Sequence, residues 1–420
     1  MRTLLVSTFF PTELDTFVHG VHKRMGMFVD AIKETAQLHM LFYVPASVDV
    51  SRSTVALYEK RFANHWSADI KLFLCPRFEP HGKVSKWQWR WRHYGAGALS
   101  FFRHEVSNTT TGPEQVHAFE RCLQAKPEMI FAHRLPAMCP PLLTEKTLPP
   151  IFFDLDDIEH VVHLRRILAR PKLRTKLFSS FSLPALWWGE RQAIKLATRT
   201  FVCSESDRRY LENLLRVQRI ATVPNAVHIP SPQPLSSEPT LLFLGTYLYH
   251  PNVKAAEFLI EKVFPHVRRA VPKARLVFAG IAPEKIRGYH LNIPGIEFTG
   301  FVDDLERLYR GVRVVCAPLF AGVSGTQTKL IEAAAFGKPI VANRLGANGV
   351  EMRHGKELLV CDDPNSFAGA CLQLLNDPAR CQELGSAARA RAIEFYNRAN
   401  IISMIQKYIN NGAIEKETSH

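Results

Sequence analysis

The 420-residue chain is 46% hydrophobic and 22% charged, which excludes a disordered chain and suffices for two domains, each with its own core. The net charge of +14 is uneven: residues 1–230 carry 31 Lys/Arg against 21 Asp/Glu, the remainder 22 against 18, and all six tryptophans lie in the first half. A basic, aromatic-bearing half calls for an anionic partner, whether lipid head groups, nucleic acid or an acidic acceptor.

In chain order, Met1-Arg-Thr-Leu-Leu-Val-Ser-Thr-Phe-Phe-Pro11 has a short apolar centre without a small-residue cleavage site, so it reads as a buried first strand over Leu4–Val6. A loop from Phe9 to Gly20 follows. Val21, Met25, Phe28, Val29 and Ile32 then mark one side of a helix. Strands are expected at Leu38–Val44, Ile70–Leu74, Met129–Ala132 and Ile151–Asp154, the third ending at His133 and the fourth running into Leu155-Asp-Asp-Ile158. Residues 76–106 show no clear period. The stretch from Leu164 to Phe178 is helical in pattern, basic, and holds no acid. Glu190–Ala197 reads as a helix, Thr200–Cys203 as a strand, Glu205–Leu215 as a helix capped by Ser204, and Ile220–Val223 as a strand stopped by Pro224-Asn225. The eight cysteines are scattered with no Cys-x-x-Cys pair. They read as buried free thiols of a reducing compartment, which points to the cytoplasm. No apolar run reaches the ~18–20 residues that span a bilayer.

From Ile229 to Pro239 the texture changes: four prolines and three serines make a linker. Beyond it, strands at Leu241–Leu244, Arg275–Ala279, Ile296–Thr299, Val312–Ala317, Pro339–Ala342 and Leu358–Val360 alternate with helices at Val253–Val271, Asp303–Tyr309, Gly325–Phe336, Ser366–Leu375 and Pro378–Phe395. Uniformly apolar strands alternating with helices specify a parallel sheet covered on both faces. The fold class is therefore α/β, with two doubly wound Rossmann-like domains whose ligands bind beyond the carboxyl ends of the strands. The expected division is 1–228, a hinge at 229–239, a second domain at 240–395, and a final helix at 396–412.

The second domain contains one stretch with recognisable chemistry, Leu319 to Ala342. The loop Gly322-Val-Ser-Gly-Thr326 leads into a helix carrying Lys329 and Glu332, Gly337 ends the helix, and a strand follows. Small residues before a helix start offer unpaired backbone N–H groups and partial positive charge to an anion. Lys329 and Glu332, three apart, share one helix face. A cation for phosphate beside a carboxylate for sugar hydroxyls suits a nucleotide-sugar. The alternative is a capped helix with a surface ion pair.

The ordered set of segments resembles retaining glycosyltransferases of the GT-B fold, in family 4 of those enzymes. The resemblance rests on the first strand and loop closed by Gly20, His133 at a strand end, and Phe152-Phe-Asp-Leu-Asp-Asp157. It continues through Glu190 with Thr200-Phe-Val-Cys-Ser-Glu205, Val223-Pro-Asn-Ala-Val227, Leu242-Phe-Leu-Gly-Thr246, Phe298-Thr-Gly-Phe-Val-Asp-Asp304 and Leu319–Ala342. It ends with the helices from Arg391 to Ile409, the last of which crosses back to the first domain in such enzymes. Three positions depart from the family pattern. Ser324 stands where the first of two glutamates is usual, and Thr246 and Asn252 stand where many relatives have a phosphate-binding Arg and Lys.

The resemblance implies transfer of a sugar from a nucleotide-diphosphate donor to a saccharide or lipid-linked acceptor across a cleft, with no metal or other cofactor. Donor contacts would come from Gly20, Gly245, Thr246, Ser324, the amides of Gly325 and Thr326, and Lys329. Phe301 and Val302 would border the base and Glu332 the ribose. His133 would sit near the sugar, and Asp156 would face the acceptor. Each has a purely structural alternative: a turn glycine, a core phenylalanine, an ion pair, a strand-end histidine. Asp154-Leu-Asp156 also looks like a metal-holding Asp-x-Asp, but that motif belongs to a different glycosyltransferase fold.

Lys86-Trp-Gln-Trp-Arg-Trp-Arg92 alternates indoles with Gln88, Arg90 and Arg92, a pattern suited to an anionic bilayer surface at the inner face of a membrane. An amphipathic cover over the core or a nucleic-acid patch would use the same pattern. Two competing functions stand beside sugar transfer: a sugar-nucleotide epimerase of the same architecture, and a non-catalytic basic, Trp-bearing surface protein.

Overall fold

The computed structural model describes residues 1–12, 14, 20–34, 37–78, 111–168, 173–180, 182–320 and 326–417. The segment Lys86–Arg92, together with Ser324 and Gly325, lies outside them.

The chain divides into two compact units. One holds Met1–Val223 and the chain from Ile402 onward; the other holds the chain between Pro224 and Ile401. The first unit runs β1 (Arg2–Ser7), α1 (Gly20–Lys33), β2 (Gln37–Val44), α2 (Arg52–Trp66), β3 (Ile70–Pro76), α3 (Pro113–Leu123), β4 (Met129–His133) and α4 (Leu135–Leu143). It continues through β5 (Ile151–Asp156), α5 (Glu159–Leu168), α6 (Leu173–Ser180), α7 (Leu183–Leu196), β6 (Arg199–Val202), α8 (Glu205–Leu215) and β7 (Ile220–Thr222). Its strands form one parallel sheet in the order β3-β2-β1-β4-β5-β6-β7.

The central strands have apolar centres because both faces are covered: Leu4, Leu5 and Val6 are fully buried in succession. Ser204 accepts from the amide of Asp207, which fixes the start of α8. Ser51 does the same for α2 through Thr54. The helices α2, α3 and α4 fall outside the elements expected from the sequence. In α4, Pro140 and Pro141 are both buried inside the helix.

The second unit holds β8 (Thr240–Leu244), α9 (His250–Phe258), a π turn (Leu259–Val263), α10 (Phe264–Ala270), β9 (Arg275–Ala279), β10 (Ile296–Gly300) and α11 (Leu305–Arg310). After these come β11 (Val314–Ala317), α12 (Thr328–Ala335), β12 (Ile340–Ala342), β13 (Leu359–Val360), α13 (Pro364–Asn376) and α14 (Pro378–Tyr396). Its sheet is also parallel, in the order β10-β9-β8-β11-β12-β13. The single helix expected over Val253–Val271 is broken by Pro265, which has no N–H to give. The ladder widens there, and Phe264 N bonds Leu259 O, five residues back.

The proline-rich stretch is coil, but it is fastened to the second unit. Arg389 Nη2 donates to Pro230 O at 2.6 Å, Gln233 to Glu306 O at 3.3 Å, and Leu235 packs on the core. The last helix, α15 (Arg398–Glu417), begins in the second unit, and its residues from Ile402 onward belong to the first. There Gln406 donates to Ala31 O, Ile405 and Ile409 are buried, and the Tyr408 and Phe201 rings lie 5.9 Å apart. Among the described residues no helix is long and apolar enough to cross a membrane. Seven of the cysteines are buried and all eight are free thiols.

Gly280, just past β9, has φ +138°, and a Cβ there would lie 1.9 Å from Gly245 O. The backbones of two neighbouring strand ends touch, and no side chain fits between them. Gly280→Ala should cost about 2–3 kcal/mol, read as a lower midpoint of denaturant unfolding; an unchanged midpoint would show that the two loops part freely.

Candidate functional site

In a parallel sheet all strands end at one edge, and the place where strand order reverses leaves a crevice there. In the second unit the reversal lies between β8 and β11. Gly245 and Thr246 follow β8, and Lys329 lies in the first turn of α12, which follows β11. These three residues come together around Asn252. Lys329 Nζ donates to Asn252 Oδ1 at 2.9 Å, and Asn252 Nδ2 donates to Thr246 O at 2.8 Å. The ammonium also lies 4.2 Å from the centre of the Phe243 ring. A Cβ on Gly245 would sit 2.8 Å from Asn252 Nδ2 and 3.2 Å from Lys329 Nζ, so glycine is what lets the chain lie against these groups.

Lys329 is half-buried, and burial lowers its pKa to about 7, with Glu332 pulling the other way. Among the described residues its partners are one amide oxygen and one ring, a sparse set for a cation. Among the described residues, the buried hydroxyl of Thr246 has no hydrogen-bond partner. A cation with spare donors, an unpaired hydroxyl and a glycine backbone at a switch point fit an anionic group such as phosphate.

The other expected donor residues surround this cradle unequally. Thr326 is buried, its hydroxyl donating to Gly349 O at 3.0 Å and its carbonyl accepting from Asn225. Gln327 precedes α12 without a side-chain cap, so the helix starts three residues later than expected, at Thr328. Phe301 is 48% exposed beyond β10, while Val302 packs on the core. Glu332 lies one turn behind Lys329. Tyr309, which the sequence reading passed over as the end of a helix, is fully buried and stacked on Phe336 at 4.3 Å. Burial first, and then the Glu332 carboxylate, push its phenol well up, and among the described residues its hydroxyl has no partner.

In the first unit the order reverses between β1 and β4, and the residues at that edge are polar and buried. Ser7 and His133 are neighbours in register, with Ser7 Oγ and His133 Nδ1 2.9 Å apart. His133 is fully buried, and among the described residues its Nε2 has no hydrogen-bond partner; it lies 3.9 Å from Asp154 Oδ2. Burial drops its pKa to about 3 despite Asp156, with Arg134, Arg24 and His22 adding to the effect, so the ring is neutral. Asp154 meets Arg24 through contacts of 2.6 and 3.0 Å. Burial pushes Asp154 up to about 6 and Arg24 pulls it back, which leaves the pair ionised at neutral pH.

Asp156 has φ +61°, and its carboxylate is 3.4 Å from Arg24 Nε and 3.8 Å from Arg134 Nε. Burial works against its charge, but Arg134 and Arg24 hold the carboxyl below its ordinary value. Arg134, itself at φ +68°, also reaches Asp157 and Glu159 at 3.2 Å each. Left-handed backbone at two non-glycine residues on adjacent strand ends is stored strain. Gly20 is the exposed first residue of α1. The sequence reading missed Arg24, although a signal was present: position 24 lies one turn from Phe28 on the apolar face of α1, where a charge calls for a buried partner.

Folding lowers the Lys329 pKa, so the unfolded chain binds that proton more tightly between about 7 and the ordinary lysine value of 10.5. Stability from this group therefore rises with pH across that window. The stability difference between wild type and Lys329→Met should shift toward wild type as pH climbs through it; parallel pH profiles would mean that the lysine carries no burial penalty.

Residues 238–377 match the family model described as glycosyl transferases group 1. Phosphatidyl-myo-inositol mannosyltransferase of Mycobacterium leprae is 32% identical over 202 residues, which are 44% of this chain and 52% of that protein. The chain spans about half the length of the curated relatives it matches. Among solved structures, sucrose-phosphate synthase from Thermosynechococcus elongatus aligns with TM-score 0.67 at 16% identity, over 98% of this chain and 99% of that one. A mutant of S. aureus TarM in complex with fondaparinux, alpha-GlcNAc-glycerol and UDP also aligns with TM-score 0.67, at 12% identity over 98% and 100%. The chain as a whole thus has the GT-B fold, and residues 238–377 within it match the glycosyl transferases group 1 family.

Proposed function

We propose that the protein transfers a sugar from a nucleotide-diphosphate sugar to a saccharide or lipid-linked acceptor, with retention, as a member of glycosyltransferase family 4. The observation that carries this reading is the Gly245–Thr246–Asn252–Lys329 cradle at the β8/β11 switch point. In glycosyl transfer, negative charge grows on the departing diphosphate. Groups already aimed at that oxygen stabilise the transition state most when they stand in a site of low dielectric. Lys329 has that character. A diphosphate beside it would draw its pKa back up, so binding takes up a proton near neutral pH.

Around the cradle, Glu332 accepts from the ribose hydroxyls, and Phe301, exposed beyond β10, borders the base with Val302 behind it. The amides of Gly325 and Thr326, with Ser324, close on the phosphates. These assignments follow the resemblance. So do those of the first unit, where Gly20 serves the diphosphate, Asp156 the acceptor, and His133 a sugar hydroxyl through Nε2, the ring atom without a partner. TarM was solved in complex with UDP, which makes UDP the first nucleotide to try here.

A thermal-shift screen of UDP, GDP, ADP and their sugars should show protection by one nucleotide class, lost in Lys329→Ala and in Glu332→Ala. Asp156→Asn should keep that protection and lower sugar transfer at least about tenfold. Unchanged protection in both donor-site variants would refute the site assignment.

A further inference from the structure

A tyrosine is costly in a protein core unless its hydroxyl finds a partner, because phenylalanine fills nearly the same space without that polar atom. Among the described residues of the second unit, Tyr247 and Tyr396 are buried about as deeply as Tyr309, and both are paired. Tyr247 OH donates to Phe243 O at 3.4 Å, and Tyr396 OH accepts from the amide of Glu351 at 2.6 Å. Tyr309 is fully buried, and among the described residues its hydroxyl has no partner. Packing accounts for its ring and not for its oxygen.

The surroundings of the ring point to α12. Tyr309 lies in the last turn of α11, and its ring stacks on Phe336 at 4.3 Å with 14° between the planes. Phe336 closes α12, its amide donating to Glu332 O at 3.0 Å, so Glu332 stands one turn back along the helix, toward Lys329. The two rings share a core cluster with Val302 and Leu330. Burial first, and then the charge of Glu332, keep the phenol protonated, so it is a hydrogen-bond donor at neutral pH. A carboxylate has two oxygens and can accept from two sides at once.

We infer that Tyr309 is a positioning residue for nucleotide binding: when a diphosphate engages Lys329, the Tyr309 hydroxyl donates to Glu332 and holds its carboxylate toward the ribose. The diphosphate takes over the ammonium three residues before Glu332. The carboxylate then accepts from the phenol with one oxygen and from the ribose with the other. A hydroxyl that is a burden to the nucleotide-free protein is used in the bound one. The inference rests on the donor-site roles proposed for Lys329 and Glu332.

The test is titration of the full chain with UDP, GDP and ADP and with their 2′-deoxy forms. The wild type should prefer the ribose form of one base by at least about tenfold. In Tyr309→Phe that preference should shrink at least about threefold, through weaker binding of the ribose form alone. Glu332→Gln should shrink it too, and adding Tyr309→Phe to Glu332→Gln should cost nothing more. Without nucleotide, Tyr309→Phe should melt at the wild-type temperature or above, since it loses an unpartnered hydroxyl and no packing. A lower melting temperature would reveal a structural bond and overturn the inference. So would an unchanged ribose preference in Tyr309→Phe beside a reduced one in Glu332→Gln, an outcome that leaves the donor site standing. No ribose preference in the wild type, or an unchanged one in Glu332→Gln, would overturn the ribose role of Glu332 and the inference with it.

Discussion

All strands of a parallel sheet end on the same side, and that constraint decides where this protein's chemistry lies. The described strands of both units are parallel, and most of their buried positions are apolar. Polar side chains therefore collect at the strand ends, where the chain leaves the sheet. In the second unit that edge carries Gly245, Thr246, Gly280 and, at the head of the next helix, Lys329. In the first it carries Ser7, His133, Arg134, Asp154 and Asp156.

The two edges solve the burial of charge in different ways. Asp154 and Asp156 are set against Arg24 and Arg134, so most charges at the first edge have an opposite charge in contact. Such a network holds its members in place and costs much to break, because a removed partner strands a buried charge. Lys329 instead faces an amide oxygen and an aromatic ring, and its proton is loosely held. A cation in that state gains from an arriving anion what its own surroundings do not supply. The same feature makes it a poor contributor to stability and a good contributor to binding.

Much of this was legible in the sequence because the second unit's strands are short, apolar and bounded by glycine or proline. Arg275–Ala279 lies where the pattern puts it, and Gly337 ends α12 at φ +70°. Less legible were elements whose buried residues do not keep a clean period. Helix α4 hides behind two prolines, and α2 buries only Phe62 and Trp66 along its length. At the sites, the loop-to-helix pattern pointed to Lys329 and the family resemblance to His133. Neither showed that Asn252 holds the ammonium, that Arg24 answers Asp154, or that Tyr309 places an unpaired phenol near Glu332. Those are long-range pairings, separated by 77 residues for Lys329 and Asn252 and by 130 for Arg24 and Asp154, and no local pattern encodes them.

The central claim is that Lys329 is a weakly protonated cation awaiting a diphosphate. The most direct measurement is calorimetric titration of UDP near neutral pH in buffers of different ionisation enthalpy, which counts protons taken up on binding. The account predicts uptake of a fraction of a proton by the wild type, none by Lys329→Met, and an affinity that falls as pH rises above about 7. Tight binding without proton uptake, or equal uptake in the variant, would contradict it.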